Sequence, residues 1–178
     1  MIIKMKIIDL STLIYTDMEI FPGDPDVKIN LVHTYKKNSW ELRQLSMGSH
    51  TGTHVDAFSH MHEGKESLDK IPIERFCGKG QVVDPSDHWP TDIGLFFIEE
   101  IGIEYLERLI IVNPGFVGGN ITEELERALL GKNIITYTRL INLELLPPKK
   151  SFMFYGLPLK IKEGDGSPVR AIAILEDE

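Results

Sequence analysis

Cysteine is nearly missing from this chain: Cys77 is the only one in 178 residues. That excludes an intramolecular disulfide and a zinc site built from thiolates. Cys77 stands between Phe76 and Gly78 with no histidine close in sequence, so it reads as a small residue for burial and not as a nucleophile. A reducing, cytoplasmic setting is the expectation. Long apolar runs are also lacking. The stretch Met1 to Ile8 is interrupted by lysines and too short for a signal segment or a spanning helix; it reads as a strand, and no membrane partner is expected. Basic clusters are absent as well. A formal net charge of −8 with only short pairs such as Lys36-Lys37 argues against nucleic acid, because counterion release needs a basic patch. Without repeats, low-complexity tracts or a linker, the chain is expected to be one domain, 1–178, long enough for a sizeable core.

What is present is an alternation of short strands with a few helices. Lys4 to Leu10 opens as a strand, and the rigid turn Phe21-Pro22-Gly23-Asp24-Pro25 follows. Val27 to Tyr35 and Trp40 to Met47 alternate apolar and polar residues, as an antiparallel pair joined by Lys36 to Ser39. Ile73 to Phe76 reads as a short turn and Gly80 to Asp84 as a strand. Further on, Leu95 to Ile98 reads as a buried strand, Ile103 to Leu109 as a helix and Leu109 to Val112 as a strand, a β-α-β unit ended by Asn113-Pro114-Gly115. The clearest helix starts after Asn120-Ile121 with Thr122 as its cap and ends at Gly131. Ile134 to Tyr137 is a strand, and Phe152 to Ile161 and Val169 to Leu175 are two more, joined by the turn Gly164 to Pro168. The class is α/β with a mixed sheet.

The densest chemistry lies in Ser49-His50-Thr51-Gly52-Thr53-His54-Val55-Asp56-Ala57-Phe58-Ser59-His60-Met61-His62, which holds four of the six histidines. Imidazole and carboxylate are what zinc, manganese and iron take from proteins. On a helix His50 and His54 share a face without Asp56; on a strand His50, His54, Asp56, Phe58 and His60 fall on one face by parity, with Gly52 allowing a bulge. A solvated polar loop is the plain alternative. His62 reads equally as a supporting or an exposed residue, and Asp165 and Arg170 as partners in a turn hydrogen bond or ion pair. The acid pairs Glu99-Glu100 and Glu123-Glu124 read as solvated faces.

The pattern His50-x-Gly52-Thr53-His54-x-Asp56-x-Phe58-x-His60 resembles the cyclase-like metal-dependent hydrolases, which include bacterial kynurenine formamidase (arylformamidase) and isatin hydrolase. The likeness extends to Asp9-Leu10-Ser11, Pro22-Gly23-Asp24, Ser67-Leu68-Asp69, Leu157-Pro158-Leu159-Lys160 and Gly166-Ser167-Pro168-Val169-Arg170, and fades between Asp87 and Asn120. It implies a swivelling β/β/α fold, a homo-oligomer (dimer or tetramer), a divalent metal, zinc (Zn) or manganese (Mn), and hydrolysis of a small amide, formamide or cyclic amide. By the same resemblance His50, His54 and Asp56 hold the metal, His60 transfers the proton, and Phe21 contacts the substrate where relatives commonly carry tryptophan. The chain departs from the family pattern in three ways: Phe58 replaces a proline, the middle is shortened, and Glu126 and Thr138 stand where relatives carry a late histidine and glutamate. A member that keeps the fold and a small-molecule pocket without turnover is the competing reading, and a purely structural histidine cluster a third.

Overall fold

A computed structural model describes residues 5–176, with the side chain of Glu176 excepted. The first four residues of the expected N-terminal strand lie outside the described residues; from there it is β1 (Met5–Asp9). The further strands are β2 (Lys28–His33), β3 (Leu42–Ser46), β4 (His54–Asp56), β5 (Cys77–Val82), β6 (Gly94–Ile101), β7 (Phe116–Ile121), β8 (Ile135–Thr138), β9 (Phe152–Tyr155), β10 (Gly166–Pro168) and β11 (Ile172–Glu176). The helices are α1 (Tyr35–Asn38), α2 (Leu106–Val112) and α3 (Glu123–Gly131).

Nine strands form one mixed sheet in the order β1-β11-β9-β5-β6-β7-β8-β4-β10, and β2 pairs with β3 in a separate hairpin. The run β5, β6, β7, β8 is parallel and the flanking pairs are antiparallel. This is the expected α/β class with a mixed sheet. Leu95, Phe96 and Phe97 of β6 are each fully buried because the strand is covered on both faces. Leu95 and Phe97 join Leu109, Leu125 and Leu129 of the helices on one side. Phe96 joins Phe116, Phe152 and Phe154 on the other.

Several local expectations change. Leu109 to Val112 is the end of α2 and not a strand: Leu109 and Val112 are buried while Ile110 and Ile111 are exposed, a spacing of three that only a helix produces. The strand that follows is β7, hidden in the sequence by Gly118 and Gly119. Gly119 has φ 101°, and any Cβ there would run into the carbonyl of Phe97. Finally, the strand expected over Phe152 to Ile161 stops at Tyr155, and part of the supposed turn, Gly166–Pro168, is β10, paired with β4. Gly156 and Pro158 end the earlier strand, which frees residues 156–165 to travel to the site. Cys77 is half-buried at the start of β5, less enclosed than expected, with its thiol toward the carbonyl of Glu74. Among the described residues no helix is long and apolar enough to cross a membrane.

Candidate metal centre

The chain enters the site through a tight turn. Gly52 has φ 62°, and Thr51 and Thr53 fasten the turn to the carbonyls of Gly48 and Arg139. Only His54 to Asp56 is strand, so the parity argument holds for two residues and not for the whole stretch. His54 and Asp56 share a face of β4 while Val55 turns into the core. Asp56 is 1% exposed and His54 8%. His50 comes from the turn, and His60 from a short 3₁₀ helix, Phe58–His60. Phe58 is buried in the core on that helix and takes no place among the polar groups.

These pieces converge. His50 Nδ1 lies 2.7 Å from Asp56 Oδ1, and His54 Nε2 lies 3.6 Å from the same oxygen. His50 and His60 rings stack at 3.9 Å between centroids. One ligand atom each from His50, Asp56 and His60 falls within 4.8 Å of the others. His54 Nδ1 donates to the carbonyl of Gly52 at 2.7 Å, which fixes that tautomer and leaves Nε2 as the acceptor nitrogen beside Asp56. A metal-binding histidine is anchored in this way through one nitrogen, which leaves the other with its lone pair toward the centre.

Strand pairing delivers two further residues. Thr138 is opposite His54 and Thr136 opposite Asp56, so their side chains share the site face. Thr138 Oγ1 is 2.9 Å from His54 Nε2, and Thr136 Oγ1 donates to Glu126 Oε1 at 2.9 Å. Glu126, on α3, shares a hydrogen bond with Asp56. The two positions singled out by the resemblance are therefore both in the centre. Asp165, expected in a turn hydrogen bond or ion pair across the turn, instead reaches His50 Nε2 at 2.9 Å and His60 Nδ1 at 3.5 Å with its carboxylate. Its place immediately before the Gly166-Ser167-Pro168 match was the signal available in the sequence. Arg170 does not pair across the turn with Asp165 but forms its ion pair with Asp9 at 2.7 Å. His62 donates to the carbonyl of Arg127, and His33 packs edge-on against Trp40, away from the cluster.

Charge in the centre follows from this packing. Burial works against protonation of His50, but its hydrogen bonds to Asp165 and Asp56 prevail and push its pKa up to about 10. Asp165 is held well below the usual carboxylate range by His50, then His60. Burial and the Asp56 charge raise Glu126, so of that pair Glu126 keeps the proton and Asp56 is ionised. Burial lowers His54, which stays neutral. In this state protonated His50 provides the cation that the carboxylates require. An ion entering the centre would displace the His50 proton, and His50 with the neutral nitrogen of His54 and the ionised Asp56 then forms a mixed nitrogen and oxygen donor set of the kind divalent transition metals take. The residues present fit a divalent ion.

The centre opens into a cavity of about 480 Å³, within the size range of small-molecule sites, whose wall includes Phe21, Met61, Ile121, Arg127 and Arg139. The sequence profile of the Cyclase family matches residues 8–109. The chain belongs to that family. It is 28% identical to the kynurenine formamidase of Salinibacter ruber, over 94% of this chain and 97% of that protein. An uncharacterized protein of Methanocaldococcus jannaschii is 33% identical, over 96% of this chain and 100% of its own. Among solved structures, isatin hydrolase A from Labrenzia aggregata superposes with a TM-score of 0.82 at 22% identity, covering 97% of this chain and 94% of that one, which shows the shared fold. These alignments run through the stretch between Asp87 and Asn120 where the motif likeness fades.

Proposed function

We propose that this member of the Cyclase family is a divalent-metal-dependent hydrolase of a small amide or formamide, with His50, His54 and Asp56 holding the ion. The observation that carries the reading is the anchoring of His54 by Gly52, which aims Nε2 toward the Asp56 oxygen that His50 also faces. An ion held there, zinc or manganese, would lower the pKa of a bound water and polarise the substrate carbonyl. His60, at the cavity wall beside His50, takes the proton from the attacking water and returns it to the departing nitrogen as the carbon–nitrogen bond breaks. Phe21, 60% exposed and lining the cavity, packs against the apolar part of the substrate. The products are a carboxylic acid and an amine. Relatives named kynurenine formamidase make N-formylkynurenine the first substrate to try. The reading includes a homo-oligomer working in a reducing, cytoplasmic compartment.

Purified after growth with zinc or manganese, the protein is expected to carry about one equivalent of metal per chain and to hydrolyse an aryl formamide. His60→Ala should lower kcat by a factor of about 10² or more while leaving the metal in place. His54→Ala should lose the metal. A supplemented protein that holds none overturns the reading.

Two features favour a binding protein without turnover: Thr138 Oγ1 sits 2.9 Å from His54 Nε2, and Glu126 already hydrogen-bonds Asp56. In that case a formamide would raise the melting temperature without being consumed.

A further inference from the structure

We infer that Asp165 is a positioning residue of this centre, which holds His50 by Nε2 so that Nδ1 faces Asp56, and holds His60 beside it with the same carboxylate. The inference rests on the metal-centre reading above. Both carboxylate oxygens of Asp165 are committed. Oδ2 lies 2.9 Å from His50 Nε2 and 3.5 Å from His60 Nδ1, and Oδ1 accepts the hydroxyl of Ser49 at 2.9 Å.

The backbone that carries it is fastened from several directions. The amide of Ala57, between the β4 residues and His60, donates to the carbonyl of Asp165 at 2.8 Å. One residue earlier, the amide of Leu68 donates to the carbonyl of Gly164 at 2.8 Å. The amide of Glu163 donates to Asp69 Oδ1 at 3.1 Å, and Asp69 is itself held by the Ser67 hydroxyl at 2.6 Å. On the other side Gly166 pairs with Asp56 in the sheet. Gly166 also leaves the space that His50 occupies, since a Cβ there would come within 2.7 Å of His50 Nδ1. Ser67-Leu68-Asp69 and Gly166-Ser167-Pro168, far apart in the sequence, thus hold one carboxylate at one place.

The consequence is chemical. His50 has a carboxylate at each ring nitrogen, and only one of these can be exchanged for an ion without losing the other. With Nε2–H committed to Asp165, Nδ1 is the nitrogen turned to Asp56, and the ring cannot rotate without breaking the bond. A carboxylate behind a ligand imidazole fixes its tautomer and increases its basicity. The same oxygen approaches His60 Nδ1, which leaves Nε2 as the nitrogen of His60 that exchanges a proton.

The experiment titrates the full chain with Zn²⁺ against a competing chelator for the parent, Asp165→Ala and Asp165→Asn, alongside the unfolding midpoint of each metal-free protein. Loss of the orienting carboxylate is expected to weaken zinc binding about 10- to 100-fold in both variants, with unfolding midpoints close to the parent's. In the activity assay kcat should fall with KM held. A folded Asp165→Asn that binds zinc as tightly as the parent overturns the inference and leaves the metal-centre reading standing. Loss of all measurable binding makes Asp165 a ligand itself and overturns the positioning role. A parent that binds no zinc overturns both readings together.

Discussion

Gly166 lies beneath the His50 ring with no room for a methyl group, so the smallest substitution there tests whether the position of that ring matters. Gly166→Ala is expected to push His50 away from Asp56 and weaken metal binding about tenfold or more, read by chelator competition; unchanged affinity would show that the ring has slack. At this scale most of the candidate cluster was legible in the sequence. His50, His54, Asp56 and His60 stand together within eleven residues, and imidazole beside carboxylate has few bland explanations. Glu126 and Thr138 were also marked, through their alignment with family positions. Asp165 was not legible as part of the site, because an aspartate between two glycines is ordinary turn chemistry, and nothing in local spacing tells a turn carboxylate from one aimed at a histidine more than a hundred residues away.

Elements show the same divide. The cap of α3 was readable: Thr122 accepts the amide of Leu125, and three glutamates occupy the first turn. The end of α2 was not, since Leu109-Ile110-Ile111-Val112 suits a strand by composition and a helix by burial alone. β8 carries the site on one face and Tyr137 on the other, where Tyr137 is fully buried and donates to the carbonyls of Gly156, at 3.0 Å, and Phe76. Burial raises the Tyr137 pKa well above its ordinary 10.0. The folded state therefore favours the neutral phenol, and its contribution is complete below pH about 10 and lost as pH climbs above that value. Tyr137→Phe should cost about 0.5 to 1.5 kcal/mol at neutral pH and flatten the alkaline loss of stability. Parallel denaturation curves for both proteins from neutral to strongly alkaline pH check this, and identical alkaline slopes would count against it.

For the molecule as a whole, the hairpin of β2 and β3 stands outside the main sheet and exposes Leu31, Trp40, Leu42 and Leu45, each between 44% and 56% exposed. Apolar side chains in that number on one small hairpin support the proposed homo-oligomer. Light scattering should find more than one chain per particle, and Leu45→Glu should shift the mass downward; a monomeric parent would sink the idea. The sequence by itself determined which residue types gather in the candidate site, the α/β class and the better-capped helix, because these depend on residue type and on spacings of a few positions. Tertiary structure decided which nitrogen of each histidine faces the centre, that Thr138 and Glu126 stand against His54 and Asp56, and that Asp165 leaves its turn for His50. Those facts depend on pairing β4 with β8 and β10, contacts between segments about 80 and 110 residues apart. Burial of one face of each strand and the paths of the connecting chain set that register, because backbone hydrogen bonds alone would accept any alignment, and no pattern within a few neighbouring residues encodes it.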